Sequence, residues 1–116
     1  MKLKTGIIAF LMFVIAGTPL FAANGRKTVA SAGTAEALSS TAQPFSRVTV
    51  CAETDNSGVI AVGDSGVIAT LATRTGVPLD ASDCYTIKAA DWGSTDLRTV
   101  FIDTTVSGDG VTYHTI

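Results

Sequence analysis

The chain has 116 residues, of which 47% are hydrophobic, 16% charged and 7% aromatic. That length holds one domain and excludes most multi-domain enzymes. From residue 23 onward six basic residues stand against ten acidic ones, a net charge of −4, which excludes a nucleic-acid binder that relies on a basic surface, because no phosphate-neutralising patch is on offer.

The apolar residues are unevenly spread. A basic start, Met1-Lys2-Leu3-Lys4, is followed by residues 6–17, which are apolar or glycine throughout, and then by Thr18-Pro19-Leu20-Phe21-Ala22-Ala23. A helix-breaking proline followed by small residues is the cleavage pattern of a secretory signal peptide, with Ala22 or Ala23 as the last residue removed. The alternative is a retained membrane anchor over residues 1–23, although the apolar core falls short of the roughly 20 residues that span a bilayer. Either reading predicts a hydrophobic N-terminal helix and takes the rest of the chain out of the cytoplasm. Contact with a membrane is expected only through residues 1–23, if they are kept.

Residues 24–46 are small and polar, broken at Gly25, Gly33 and Pro44. A strand is expected near Thr28-Val29-Ala30-Ser31, and Thr34-Ala35-Glu36-Ala37-Leu38 reads either as a short helical turn by propensity or as a second strand by context. Residues 47–116 read as the β-domain proper. Val48 and Val50 alternate with Thr49, Val59 to Val62 is apolar and β-branched, and Val67 to Leu71 repeats that character. Tyr85-Thr86-Ile87, Thr99-Val100-Phe101-Ile102 and Val111-Thr112-Tyr113-His114-Thr115-Ile116 follow. Turn residues separate them at Asp55-Asn56-Ser57-Gly58, Gly63-Asp64-Ser65-Gly66, Pro78-Leu79-Asp80 and Ser107-Gly108-Asp109-Gly110. The expected fold is all-β, a small antiparallel sandwich or barrel of about six to eight short strands. Ser57-Gly58-Val59-Ile60-Ala61 recurs as Ser65-Gly66-Val67-Ile68-Ala69, and its simplest reading is a hairpin with two matching arms.

In an exported chain two cysteines point to a disulfide. Period-two alternation puts Cys51 on the face of Thr49, and Cys84 on the face of Thr86 and Lys88. Both thiols are then on the polar side of their strands, which suits a bridge between neighbours; two unpaired cysteines is the other reading. Such a bridge closes a loop of about 34 residues and stabilises by roughly 3–4 kcal/mol in the chain-entropy model. Two cysteines and a single distant histidine give no metal-ligand spacing, and no cofactor motif is present.

Gly63-Asp64-Ser65-Gly66 matches the string around the nucleophile of chymotrypsin-like proteases, but that chemistry needs a histidine base and an orienting carboxylate. The only histidine, His114, follows the serine, the reverse of that family's order, so a plain turn is the better reading. The aspartates Asp80, Asp83, Asp91, Asp96, Asp103 and Asp109 flank turns without the spacing of a calcium loop, and are read as solvated. Trp92, set between acidic loop residues, is a candidate partner contact, with capping of one end of the core as the alternative. No base–nucleophile or metal constellation emerges, and a non-enzymatic module is expected.

The order of motifs from Val48 to Ile116 resembles a small phage virion structural domain of the capsid-decoration, spike or tail-associated kind. The resemblance rests on Arg47-Val48-Thr49-Val50, Asn56-Ser57-Gly58-Val59-Ile60-Ala61-Val62-Gly63-Asp64-Ser65-Gly66-Val67, Gly76-Val77-Pro78-Leu79-Asp80 and Tyr85-Thr86-Ile87. It continues through Asp96-Leu97-Arg98-Thr99-Val100-Phe101-Ile102-Asp103 and closes on Gly108-Asp109-Gly110-Val111-Thr112-Tyr113. It implies a structural protein working through its surface, by pairing an edge strand with a protein partner or by self-association into an oligomer such as a trimer. The export segment admits a periplasmic, extracellular or virion-surface location. A secreted bacterial envelope β-domain that binds carbohydrate or protein is the competing reading.

Overall fold

The computed structural model describes residues 23–116, which form eight strands in two antiparallel sheets. In chain order the strands are β1 (Ala23–Thr28), β2 (Glu36–Ala37), β3 (Arg47–Ala52), β4 (Ile60–Gly63), β5 (Val77–Leu79), β6 (Cys84–Lys88), β7 (Phe101–Thr104) and β8 (Gly110–Thr115). The first sheet has the order β1-β8-β3-β6 and the second β2-β7-β4-β5. Among the described residues, helix is limited to one turn, α1 (Ala89–Trp92), and two 3-10 turns at Leu71–Thr73 and Leu97–Thr99. The expected N-terminal helix and the cleavage residue Ala22 lie outside the described residues. Ala23, the other expected cleavage residue, opens β1 opposite Thr115.

Alternation drives the first sheet. In β3, Val48, Val50 and Ala52 are buried while Arg47, Thr49 and Cys51 face out, the pattern of a sheet with one wet side. Ile87 from β6 and Val111 from β8 join them. Ile60, Val62, Leu79 and Ile102 come from the second sheet, and one apolar cluster unites the two layers. Phe45, Leu97 and Val100, all buried, complete it from the connections.

The second sheet is covered on both faces at its central strands β4 and β7, which explains the unbroken apolar run in β4. Ala61 turns away from the main core and packs with Val67 and Ala69, flanked by Ala35 and Phe101. Val67 to Leu71, expected as a strand, is therefore a covering loop. The near-repeat is not a hairpin, because β4 already has β5 on one side and β7 on the other, which leaves its second copy no edge to join. Its backbone finds other partners: the Ala69 N–H donates to Asp103 Oδ2 at 2.8 Å.

Two aspartates are likewise corrected from solvated to buried. Asp103 is 0% exposed, and its other oxygen accepts from the Gly33 N–H at 2.9 Å, so one carboxylate ties two covering loops to β7. Asp109 is buried as well, accepting from the Ser57 and Gly58 N–H groups at 3.2 and 2.7 Å. The Asn56 amide mimics a strand neighbour, donating to the Gly110 carbonyl at 2.8 Å and accepting from its N–H at 3.0 Å. Buried carboxylates persist because oriented backbone donors replace their water shell. The N-terminal region also differs in detail. The first strand runs earlier than expected, pairing with β8 from Ala23 to Thr28, and Glu36–Ala37 resolves as a strand against β7.

Candidate functional site

The sequence singled out the cysteine pair and Trp92, and the fold puts them in different places. Cys51 and Cys84 are directly opposed in the β3–β6 register and joined as a disulfide, with their Cα atoms 4.0 Å apart. The bridge lies on the outer face of the first sheet, where the Thr49 and Thr86 hydroxyls meet at 3.0 Å one pair along. Arg47 and Lys88 form the next pair, two cations side by side. The disulfide calls for a non-reducing, exported setting. On the same face His114 pairs its Nδ1 with Asn24 Oδ1 at 2.6 Å, which makes it a surface residue in a strand-to-strand hydrogen bond.

Trp92 ends α1, whose C-terminus is closed by Gly93 in the left-handed region (φ 82°) with its N–H on the Ala89 carbonyl. Only glycine adopts that conformation freely. The indole is half-buried against the main core, and its Nε1–H donates to Thr99 Oγ1 at 3.2 Å. That hydroxyl donates in turn to the Asp96 carbonyl at 2.7 Å. Asp96 organises the whole connection. Its Oδ1 accepts from the Arg98 and Gln43 N–H groups at 3.0 and 3.3 Å, and its Oδ2 accepts from Arg98 Nε at 2.9 Å. The Arg98 guanidinium, with the backbone donors behind it, holds the Asp96 carboxyl down at about 2.

Trp92 also lines a cleft of about 510 Å³, between the loop after β4, the start of β5 and the connection from α1 to β7. Trp92 thus both packs on the core and lines the cleft. Val62, Val67 and Val77 supply apolar wall, and Asp64, Thr75 and Ser94 supply polar groups. The Gly63-Asp64-Ser65-Gly66 turn forms one lip. Asp64 Oδ1 accepts from the Gly66 N–H at 2.9 Å, and the Val67 N–H closes the turn on the Asp64 carbonyl at 3.0 Å. Gly76 (φ 81°) packs against this same turn, where an added Cβ would stand 2.4 Å from the Val62 carbonyl oxygen.

Asp64 and Ser94 were not linked to Trp92 by the sequence. They come from segments about 30 residues apart, and no periodicity or spacing connects them. The one usable signal was the lone tryptophan in a polar loop, since a large aromatic ring there has to rest on something. Among the described residues no three His, Cys, Asp or Glu side chains converge as metal ligands, and no helix is long and apolar enough to cross a membrane. No family model, curated protein or solved structure matches the chain.

Proposed function

We propose that the protein is a non-enzymatic interaction module, exported and displayed on a surface, with association to a phage particle as the leading setting. The observation that carries this reading is the Cys51–Cys84 bridge on the outer face of a small two-sheet domain, which begins directly after a signal-like segment. The order of turn and strand motifs supports the virion setting by resemblance. Edge strands supply a means of assembly. By the alternation of the ladders, β1 turns the backbone groups of Asn24, Arg26 and Thr28 away from β8, and β6 those of Cys84, Thr86 and Lys88 away from β3. Such edges accept a further strand from a partner or a second copy, whereas Pro78 blunts the β5 edge.

The test is mass spectrometry of purified particles. The reading expects peptides from residues 24–116 in the particle, with an N-terminus at Ala23 or Asn24 after signal removal, or at Met1 if the segment remains as an anchor. Absence of those peptides from particles removes the virion setting. Sedimentation of the soluble protein then reports self-association. The cleft beside Trp92 favours the second reading, an envelope β-domain that recognises carbohydrate or protein, and recovery in the envelope fraction alone would select it.

A further inference from the structure

We infer that the cleft beside Trp92 is a saccharide site, in which the indole carbons form a stacking surface while Asp64 and Ser94 read sugar hydroxyls. The inference rests on the interaction-module reading and deepens it by naming a ligand class.

The argument follows from which polar groups of the cleft are already spent. The Trp92 Nε1–H is used by Thr99, and the Thr99 hydroxyl both accepts that bond and donates to Asp96. The Thr75 hydroxyl accepts from the Ile68 N–H at 3.0 Å and faces the Gly66 carbonyl at 3.5 Å. Among the side chains of the described residues, two keep spare capacity. Asp64 Oδ1 caps its own turn while Oδ2 carries no partner, and Ser94 Oγ accepts from the Asp96 N–H at 3.2 Å with its own proton uncommitted. The indole, with its nitrogen turned to Thr99, offers carbon surface to the cleft.

A ligand that fits must therefore donate to a carboxylate, accept from a hydroxyl and lay an apolar C–H face on an aromatic ring. A neutral pyranose does all three, since each hydroxyl both donates and accepts. An ammonium group satisfies Asp64 and the ring but cannot accept the Ser94 hydroxyl proton. An anion is opposed by Asp64 and by the −4 charge of residues 23–116. A purely alkyl ligand would bury the carboxylate without a partner. The cleft volume, about 510 Å³, falls within the roughly 300–1,000 Å³ of small-ligand pockets, enough for a short saccharide.

The experiment applies the purified exported protein to a printed array of neutral and acidic glycans, then titrates the best neutral glycan by calorimetry. Because the chain has one tryptophan, emission excited selectively at tryptophan, beyond the tyrosine absorption band, reports this cleft. A saturable change on adding a neutral glycan is expected. Trp92→Phe, Asp64→Asn and Ser94→Ala should each weaken binding several-fold, with roughly tenfold for the tryptophan. Asn at 64 retains the oxygen that caps the turn, so a loss in Asp64→Asn with an unchanged melting temperature is a binding effect. Leu71→Ser, on an exposed turn away from the cleft lining, should bind as the parent does. The inference is overturned if no glycan perturbs the tryptophan, if Asp64→Asn and Trp92→Phe bind undiminished, or if tetramethylammonium competes and glycans do not. Failure here with the protein still present in particles leaves the module reading standing. Glycan binding by a protein absent from particles removes the virion setting and keeps the site.

Discussion

Cys51 stands directly opposite Cys84 across the β3–β6 pair, and the bridge between them fastens an edge strand to the middle of its sheet. The two residues are 33 apart in sequence, and the segment between them contains β4, β5 and the covering loop over the second sheet. Reducing the bridge frees that whole span in the unfolded chain. Cys51→Ser/Cys84→Ser should lose roughly 3–4 kcal/mol in the chain-entropy account, measured by urea unfolding. The wild type should show the same loss in reductant, and its non-reduced intact mass should be lighter by two hydrogens. Free thiols in the native exported protein would contradict the bridge.

Asp103 offers a second test. Its carboxylate holds the Gly33 and Ala69 N–H groups in a site closed to water. Asp103→Ala strands the buried Ala69 N–H, releases the exposed Gly33 loop and should cost roughly 1–3 kcal/mol. Asp91→Ala, on the exposed side of α1, should stay within about 0.5 kcal/mol. Equal melting temperatures for the two variants would show that Asp103 does not hold the loops down.

The Asp96 carboxyl is held at about 2, below the ordinary aspartate value of 3.8, chiefly by the Arg98 side chain and then by backbone donors. A folded value below the unfolded one means that its stabilising effect is complete above about pH 4 and disappears as the pH falls through about 2. Carbon-detected NMR titration should find the Asp96 midpoint near 2. In Arg98→Ala it should move up towards the ordinary carboxylate range. A midpoint unmoved by that substitution would exclude the guanidinium as the main cause.

Glycine conformation separates two positions with similar backbones. Gly33 (φ 90°) has nothing within 4 Å of an added Cβ, whereas at Gly76 (φ 81°) that atom would meet the Val62 carbonyl oxygen at 2.4 Å. Gly33→Ala carries only the left-handed penalty of roughly 1–2 kcal/mol. Gly76→Ala adds a backbone clash beside the cleft and should cost roughly 2–4 kcal/mol in total. It should also shift the Trp92 emission, which Gly33→Ala should leave alone. Comparable losses from both substitutions would argue against the close packing of β5 on β4.

Much of the scaffold was readable residue by residue. Alternation in Arg47–Ala52 gives both the buried valines and the outward cysteine, because side chains in a strand switch faces at every step. Turn chemistry at Asp55–Gly58 and Ser107–Gly110 placed the breaks. The cleft was not readable in the same way: its walls come from residues 62–67, 75–77 and 92–99, and of these Trp92 alone was read as a contact while Gly63-Asp64-Ser65-Gly66 was read as a plain turn. Asp103 was misjudged because an aspartate beside a turn ordinarily meets water, and nothing local reveals the two backbone donors that await it.

Local chemistry therefore determined the strand-rich character, the polar face shared by the two cysteines and the acidic balance after residue 22, since each depends on residue type and on a period of two. Tertiary structure decided the rest. Ser57–Ala61 and Ser65–Ala69 are the same five residues in the same order, yet Ile60 and Ala61 enter a strand while Val67 and Ala69 cover one. A strand exists only where a neighbouring edge has hydrogen-bonding groups to spare. Once β5 and β7 have occupied both edges of β4, the second copy satisfies its apolar side chains and backbone groups from outside the sheet, forming one wall of the cleft at Val67.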